Sequence, residues 1–341
     1  MNKHMEPRKR EPKVSVLMLA YNHEPYIAQA IESVLQQVTD FDVELVIGDD
    51  CSSDCTAAVA SRYRKEFPEK IFLRSSTKNE GMYRNFVQLY SQCRGEYIAL
   101  LEADDFWLCP RKLQKQIDYL DSNRDCALSF HPVHLANANG AITENIFPSI
   151  TSPKKLLFRD LLEENCIPTC SVVFRRSSLN QVPQWCEQSR ILDWPLFLVL
   201  ASRGSADLIP ETLAAYRIHS NGAWSQLAPH AKSQRMIEVL KLVSANLHDP
   251  VCKDVPNRIV RLYEHISWCH EETGAFHAAA LASWDAFQHS TSNGGRFLKN
   301  YFRLRLKSQF SDFRNAGLLP LFTRAKNNSG RPAVSHVLDR N

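Results

Sequence analysis

Short apolar runs alternate with segments of helical periodicity along the first part of the chain. Mainly apolar or β-branched runs occupy residues 14–19, 43–47, 71–74 and 97–101. Between the first two runs, one helix face is marked by Ile27, Ala30, Ile31, Val34 and Leu35, and further helices are predicted near residues 52–67 and 83–93. This alternation predicts an α/β fold with a parallel, doubly wound sheet.

Polar residues follow three of the predicted strands at the same end. They are Tyr21 and Asn22, then Asp49 and Asp50, then Glu102, Asp104 and Asp105. Since parallel strands share one carboxyl edge, these side chains are expected to line a single crevice. Clustered carboxylates repel one another and suit Mg²⁺ or Mn²⁺ shared with substrate phosphates. The alternative is a solvated acidic turn in which Asp105 caps the next helix.

Composition and the absence of certain motifs argue against several classes of protein. The chain has 341 residues and a net charge of +4, which does not indicate nucleic-acid binding. Neither a dinucleotide-binding glycine fingerprint nor a P-loop is present. No apolar run reaches membrane-spanning length, and the charged residues 1–12 are predicted to be a disordered tail. The ten scattered cysteines are typical of reduced thiols in a cytoplasmic protein, and their spacing disfavours zinc.

Four segments together resemble motifs of the family 2 glycosyltransferases. They are residues 14–22, Ile47-Gly-Asp-Asp-Cys-Ser-Ser-Asp54, residues 95–98 and Glu102-Ala-Asp-Asp105. The resemblance covers roughly residues 13–225. It implies a GT-A fold and an inverting, hexosyltransferase-type enzyme with Mg²⁺ or Mn²⁺ and a UDP or dTDP sugar donor. Cys51 replaces the usual glycine of the second motif, and Glu102 replaces the usual aspartate of the acidic motif.

The resemblance also implies roles for individual residues. Nucleotide binding falls to Leu19, Tyr21, Asp50 and Asp104, with Tyr21 stacking on the base, Asp50 accepting from a base nitrogen and Asp104 contacting ribose or metal. The metal ligands would be Asp105 and His219, and Arg217 would support the histidine. Three of these residues also have a structural alternative: Tyr21 as a packed boundary aromatic, Asp50 as a cap of the helix that follows it and His219 as a hydrogen-bonded structural histidine.

Asp193 is the predicted catalytic base. It lies between Leu192 and Trp194, so partial desolvation is expected to raise its pKa, as suits a group that takes a proton from an acceptor hydroxyl. It matches the family's catalytic aspartate at a helix start, with Glu187 as the fallback. The structural alternative is a helix N-cap, a role that does not exclude the first. The basic pair Arg111 and Lys112 is predicted to lie on a solvated helix face.

The C-terminal third has a different pattern. The predicted divisions are a GT-A domain at residues 13–228, a helical region at 229–326 and a disordered tail at 327–341. Residues 258–285 resemble one tetratricopeptide-like hairpin. Residues 296–307 mix cations with aromatic residues and leucines, which is typical either of a membrane-surface helix or of a core-facing helix with a basic outer face.

The predicted function is transfer of a sugar from a nucleotide sugar to a carbohydrate or lipid-linked acceptor, in surface polysaccharide or glycolipid synthesis. Nucleic acid is not an expected partner; peripheral membrane contact and a homo-oligomer are left open. One alternative is a nucleotidyltransferase, which the absence of a glycine-rich basic loop after the first strand disfavours. The other is a non-catalytic nucleotide-sugar binding or scaffold protein that uses the helical region.

Overall fold

The computed structural model describes residues 11–149, 154–248, 250–290 and 294–315. The chain divides into two compact units, Met1–His219 and Ser220–Asn341. The division after His219 lies nine residues before the boundary predicted at residue 228. The two predicted tails lie outside the described residues, except for residues 11 and 12.

The first unit contains twelve described strands in two sheets. In chain order they are β1 Val14–Ala20, β2 Val43–Asp49, β3 Ile71–Ser75, β4 Tyr97–Leu100, β5 Phe106–Trp107, β6 Cys126–Phe130, β7 Val133–Ala136, β8 Ile142–Phe147, β9 Lys154–Leu156, β10 Val173–Arg175, β11 Ser205–Leu208 and β12 Ala214–Arg217. Eight strands form the large sheet in the order β3-β2-β1-β4-β10-β6-β11-β9, and four form a small sheet in the order β5-β12-β7-β8. Strands β1 to β4 are parallel, so the predicted α/β fold class is confirmed.

Helices cover the large sheet and connect its strands. In the first unit they are α1 Ile27–Leu35, α2 Thr56–Glu66, α3 Met82–Gln92, α4 Lys112–Ser122, α5 Phe158–Glu163 and α6 Asp193–Ala201. Strand β4 is buried along its whole length, as expected for a strand with packed side chains on both faces. Gly48 in β2 permits the close packing of α3, because a Cβ at this position would lie 2.4 Å from Leu89 Cδ1.

The prediction that Lys112 lies on a solvated helix face is wrong. The first turn of α4 packs inward beneath β5, and Lys112 is fully buried. Its Nζ donates to Gln116 Oε1 at 2.6 Å and lies 4.2 Å from the centre of the Trp107 ring. Burial away from any carboxylate partner disfavours the charged form and lowers the pKa of Lys112 to about 7.

The second unit is helical in its described residues, as predicted. Its helices are α7 Pro229–Asn246, α8 Val255–Glu272, α9 Phe276–His289 and α10 Gly294–Asn315. The predicted hairpin is the α8–α9 pair, in which Ala279, Ala280 and Ala286 are fully buried. Small side chains allow the helix backbones to approach closely. Among the described helices of the chain, none is long and apolar enough to cross a membrane.

Candidate active site

The loops after β1 and β2 are joined by hydrogen bonds between their polar residues. The amide of Asn22 donates to Ser52 Oγ at 2.9 Å, and Asn22 Oδ1 accepts from the amide of Ser53 at 2.8 Å. The amide of His23 donates to Thr56 Oγ1 at 2.8 Å. Ser52 and Ser53 therefore hold the loops together, and helix α2 begins only at Thr56.

Asp49 and Asp50, which follow one another at the end of β2, are both buried. Asp49 Oδ1 accepts from the hydroxyl of Ser52 at 2.5 Å. Asp50 accepts through both oxygens, from the amide of Glu80 at 2.8 Å and from the amide of Gly81 at 2.9 Å. Asp50 thus fixes the turn before α3 and does not cap α2, the helix that its predicted structural alternative concerned. Each oxygen still has a second lone pair for a ligand.

Two further residues predicted to bind nucleotide lie beside these loops. The side chain of Tyr21 is 46% exposed, which leaves its ring available to stack on a planar ligand. Leu19 lies near the end of β1, is half-buried, and its carbonyl accepts the amide of Ala103 at 3.0 Å. The acidic loop after β4 is thereby aligned alongside β1.

The acidic loop after β4 holds the carboxylates of Glu102, Asp104 and Asp105 close together where little solvent reaches them. Burial and the charges of Asp105, Asp104 and Asp193 raise the pKa of Glu102 well above its ordinary value. Burial and the charge of Asp104 likewise raise the pKa of Asp105, although the amide of Arg217 opposes this. Glu102 Oε2 and Asp105 Oδ2 are buried, and neither makes a hydrogen bond of normal geometry to a described residue. A cationic ligand would relieve both the repulsion and the missing contacts.

Asp104 is the acidic residue that pairs with histidine. Its Oδ2 lies 3.0 Å from His219 Nε2 and 3.7 Å from His23 Nε2. Burial alone would raise the pKa of Asp104, but the hydrogen bond from His219 and the charges of the two histidines lower it on balance. The predicted metal pair was Asp105 and His219, whereas the structure brings His219 to Asp104.

Arg217 clamps the acidic loop from β12. Its amide donates to Asp105 Oδ1 at 2.8 Å, and its Nε donates to the carbonyl of Asp104 at 2.6 Å. Its guanidinium also lies 4.8 Å from the Tyr26 ring centre and 5.0 Å from that of Phe106. Arg217 therefore positions both aspartates, a broader role than the support of His219 that the sequence suggested.

Asp193 is the first residue of α6, as predicted, and its carboxylate is half-buried. The next residue, Trp194, anchors the helix because its buried indole donates to the carbonyl of Leu161 at 2.8 Å. Burial raises the pKa of Asp193, while hydrogen bonds from the Trp194 amide and from Asn165 partly oppose this. Asn165 Nδ2 donates to Asp193 Oδ2 at 3.1 Å. Asp193 also lies close enough to Glu102 for its negative charge to contribute to the raised pKa of Glu102.

Sequence reasoning missed Asn165 and His23. Asn165 lies 28 residues before Asp193, and no local spacing signals their contact. The fallback base Glu187 forms a surface ion pair with Arg84, with Oε1 and Nε 2.7 Å apart. That contact already engages the Glu187 carboxylate at the surface, so Asp193 remains the candidate base.

The donor atoms fit a divalent cation that takes few ligands from the protein. Among the described residues, no three His, Cys, Asp or Glu side chains are grouped closely enough to hold a metal by themselves. Carboxylate oxygens and one imidazole are nevertheless present, together with orphaned buried carboxylate oxygens. Mg²⁺ and Mn²⁺ commonly take one or two carboxylates and complete their shell with phosphate and water.

Comparison with known proteins places this site in an enzyme family. The family described as Glycosyl transferase family 2 matches residues 15–182. The putative teichuronic acid biosynthesis glycosyltransferase TuaG of Bacillus subtilis is 30% identical over 240 residues, which cover 69% of this chain and 92% of that protein. The chain belongs to glycosyl transferase family 2, so the predicted family is confirmed.

One further relative and two solved structures are similar to this chain over much of its length. An uncharacterized Mycobacterium tuberculosis protein is 37% identical over 212 residues, 62% of this chain, and the chain spans 60% of the length of that relative. Staphylococcus aureus TarS 1–349, solved with UDP-GlcNAc, has a TM-score of 0.61 at 16% identity and covers 88% of this chain and 92% of its own. A mannosyltransferase from Pyrobaculum calidifontis, solved with GDP-Man and Mn²⁺, has a TM-score of 0.56 at 15% identity and covers 90% of this chain and 85% of its own. At such identities the two structures establish the GT-A-like fold alone.

Proposed function

We propose that the chain transfers a sugar from a nucleoside-diphosphate sugar to an acceptor hydroxyl with inversion of the anomeric carbon. The observation that carries the proposal is that Asp193 lies near enough to the acidic loop after β4 for its charge to raise the pKa of Glu102. One carboxylate with a raised pKa stands there beside a cluster suited to a metal and a diphosphate.

Asp193 acts as the base in this proposal. Its carboxylate takes the proton of the acceptor hydroxyl, whose oxygen attacks C1 of the donor sugar as the bond to the diphosphate breaks. Asn165 holds Oδ2 of the base, so the other oxygen is the expected proton acceptor. A single displacement of this kind inverts the anomeric centre.

The nucleotide is proposed to lie along the loops after β1 and β2. Tyr21 would stack on the base, Leu19 would contact the nucleotide from the end of β1, and Asp50 would accept from a ring nitrogen. The expected donor is of the UDP or dTDP type. Support is mixed, because one similar structure holds UDP-GlcNAc and another holds GDP-Man.

For the metal, the geometry favours Asp104 with His219 over the predicted Asp105 with His219, since only Asp104 contacts the imidazole. Asp105 would then support the loop through the Arg217 amide. A bound Mg²⁺ or Mn²⁺ would stabilise the negative charge of the departing diphosphate. The similar mannosyltransferase structure with Mn²⁺ supports this cofactor class.

An acceptor in surface polysaccharide or glycolipid synthesis is proposed from the printed name of TuaG, which places that relative in teichuronic acid biosynthesis. The remaining alternative is a non-catalytic nucleotide-sugar binder or scaffold. The raised pKa of Asp193 favours catalysis over this alternative.

The test combines nucleotide binding and turnover in wild type and Asp193→Asn. Thermal shifts are measured with UDP, dTDP, GDP and their sugars, with and without Mn²⁺, and donor hydrolysis or transfer is followed by nucleotide release. Wild type should gain about 2–3 kcal/mol of stability at about 100 times the dissociation constant of its nucleotide. Asp193→Asn should keep that gain and lose at least about 100-fold in turnover.

The outcomes separate the hypotheses. Binding without turnover in wild type, over a panel of acceptor sugars and lipid-linked sugars, would support the scaffold. Unchanged turnover in Asp193→Asn would exclude this residue as the base. No nucleotide-dependent shift at all would contradict the whole proposal.

A further inference from the structure

Helix α10 carries an exposed apolar stripe in addition to the face by which it packs. Phe297 and Leu304 are buried, at 4% and 0% exposure, and anchor the helix in the second unit. Phe302 and Leu306, one helical turn apart, are 57% and 56% exposed. Lys299 precedes Phe302 by three positions and therefore places a cation on the same helix face.

The stripe continues into a row of aromatic rings shared with α9. The rings of Phe302 and Tyr301 are 5.3 Å apart, those of Tyr301 and Trp284 are 5.3 Å apart, and those of Trp284 and Phe287 are also 5.3 Å apart. Leu281, 48% exposed, lies one turn before Trp284 on α9. These residues of α9 and α10, together with Lys299 and Leu306, are called the α10 surface below.

The charges around this surface are predominantly positive. Residues 294–308 of α10, whose side chains the structure describes, contain five cations and no carboxylate: Arg296, Lys299, Arg303, Arg305 and Lys307. Two carboxylates contact them from α8. Glu264 pairs with Arg296 at 2.8 Å, and Glu271 pairs with Arg303 at 2.6 Å and with Lys307 at 2.7 Å. Asp285 of α9, next to Trp284, adds a third carboxylate. Three negative charges beside five positive ones still leave the surface cationic.

We propose that the α10 surface docks on an anionic lipid membrane. Phe302 and Leu306 would enter the boundary between headgroups and acyl chains, Trp284 and Tyr301 would lie at headgroup level, and the cations would contact lipid phosphates. Charge complementarity selects this occupant. A second copy of the chain would place one cationic helix against another, and like charges across an interface oppose association.

A nucleic acid also offers phosphates, but it offers no apolar phase for Leu306. An anionic bilayer presents both an apolar interior and a negative surface, so it matches the apolar stripe and its cationic flanks together. The inference does not depend on the proposed transfer reaction, because it concerns the second unit alone and is tested by binding.

The experiment is co-sedimentation of the full chain with vesicles of phosphatidylcholine, with and without 30 mol% phosphatidylglycerol, at about 50 and 500 mM salt. The expected result is binding to the anionic vesicles only, weakened at high salt by screening. Phe302→Ser with Leu306→Ser should lower the partition coefficient about tenfold, because less apolar surface enters the bilayer. Lys299→Glu should lower it at least about fivefold through the lost attraction.

The matched control is Phe72→Ser with Leu157→Ser. It removes an exposed Phe and an exposed Leu from the first unit, at 40% and 47% exposure. It should bind like wild type, and circular dichroism should show that all variants are folded. Equal binding of the α10 double variant and wild type would overturn the proposal, as would no binding to anionic vesicles at low salt. A dimer that the same double variant abolishes would overturn it too, since the surface would then join two copies.

Discussion

The two carboxylate loops at the ends of β2 and β4 occupy equivalent places in the sheet but are built in opposite ways. Asp50 accepts two backbone amides, so its carboxylate is satisfied before any ligand arrives. Glu102 and Asp105 have buried oxygens without hydrogen-bond partners of normal geometry, beside like charges that raise their pKa values. The loop after β2 is held in place by its own hydrogen bonds. The loop after β4 contains electrostatic repulsion that a cationic ligand would relieve.

This difference predicts opposite effects of substitution on stability in the two loops. Removing an oxygen from the satisfied loop should weaken the fold. Removing the charge of Glu102 or Asp105, whose pKa values are raised, should strengthen the metal-free fold and impair function, the pattern expected where a site is arranged for a ligand rather than for stability. The following predictions test the contrast from the largest effect to the smallest.

The largest effect is expected at Asp104. Asp104→Asn should raise the Mn²⁺ concentration for half-maximal transfer at least about tenfold, because it removes a charged ligand candidate beside His219. Asp105→Asn is the matched variant, since its amide oxygen still accepts from the Arg217 amide. A larger effect at Asp105 than at Asp104 would identify Asp105 as the metal ligand, as the resemblance to the family implied.

Opposite stability changes are expected in the two loops. Asp50→Asn should lower the free energy of unfolding by about 1–3 kcal/mol, because an amide NH₂ would face a backbone N–H. Glu102→Gln should raise it at pH 7 in the presence of EDTA. Denaturant titrations of both variants measure the contrast, and destabilisation by Glu102→Gln would contradict the idea of stored repulsion.

The pH dependence of the Glu102 effect has a definite sign. Its pKa is higher in the folded than in the unfolded chain, so protons favour folding. The advantage of Glu102→Gln over wild type should vanish below about pH 4, where the carboxyl is protonated in both states. It should grow as the pH rises through the folded-state pKa of Glu102. Mn²⁺ should narrow the difference at pH 7.

A smaller effect is expected from the residue that holds the base. Asn165 lowers the pKa of Asp193, so Asn165→Ala should move the acid limb of the pH–turnover profile to higher pH. Asn246→Ala, at an exposed amide in the second unit, is the control. A lower plateau with an unshifted limb would assign Asn165 a purely structural role.

The smallest effect concerns the cysteine that replaces the family's glycine. Cys51 has φ +61°, a left-handed conformation that glycine adopts without a Cβ clash. Cys51→Gly should stabilise the chain by about 0.5 kcal/mol, since relief of strain exceeds the added entropy of the unfolded chain. Cys55→Gly, with φ −81°, should not stabilise it. Equal thermal shifts for both variants would exclude a backbone origin.

Local patterns were sufficient to predict the alternation of strands and helices around β1 to β4 and the carboxylates at their ends. Apolar runs and helical spacing report burial directly, and parallel strands bring their carboxyl ends to one edge. The start of a helix at Asp193 was implied by the resemblance to the family, and α6 begins at that residue. The start of α2 was not predictable from the local pattern, because Ser52 and Ser53 bond to Asp49 and Asn22 and do not cap that helix.

Only the tertiary structure decided which partner each polar group found. His219 reaches Asp104, Asn165 reaches Asp193, and Arg217 clamps the acidic loop across more than a hundred residues. Lys112 is buried although its position beside Arg111 in the sequence indicated a solvated face. Such contacts depend on how distant segments pack, and one-dimensional spacing does not encode them. The sequence therefore determined the kinds of groups at the crevice, and packing decided which oxygens remain for a ligand.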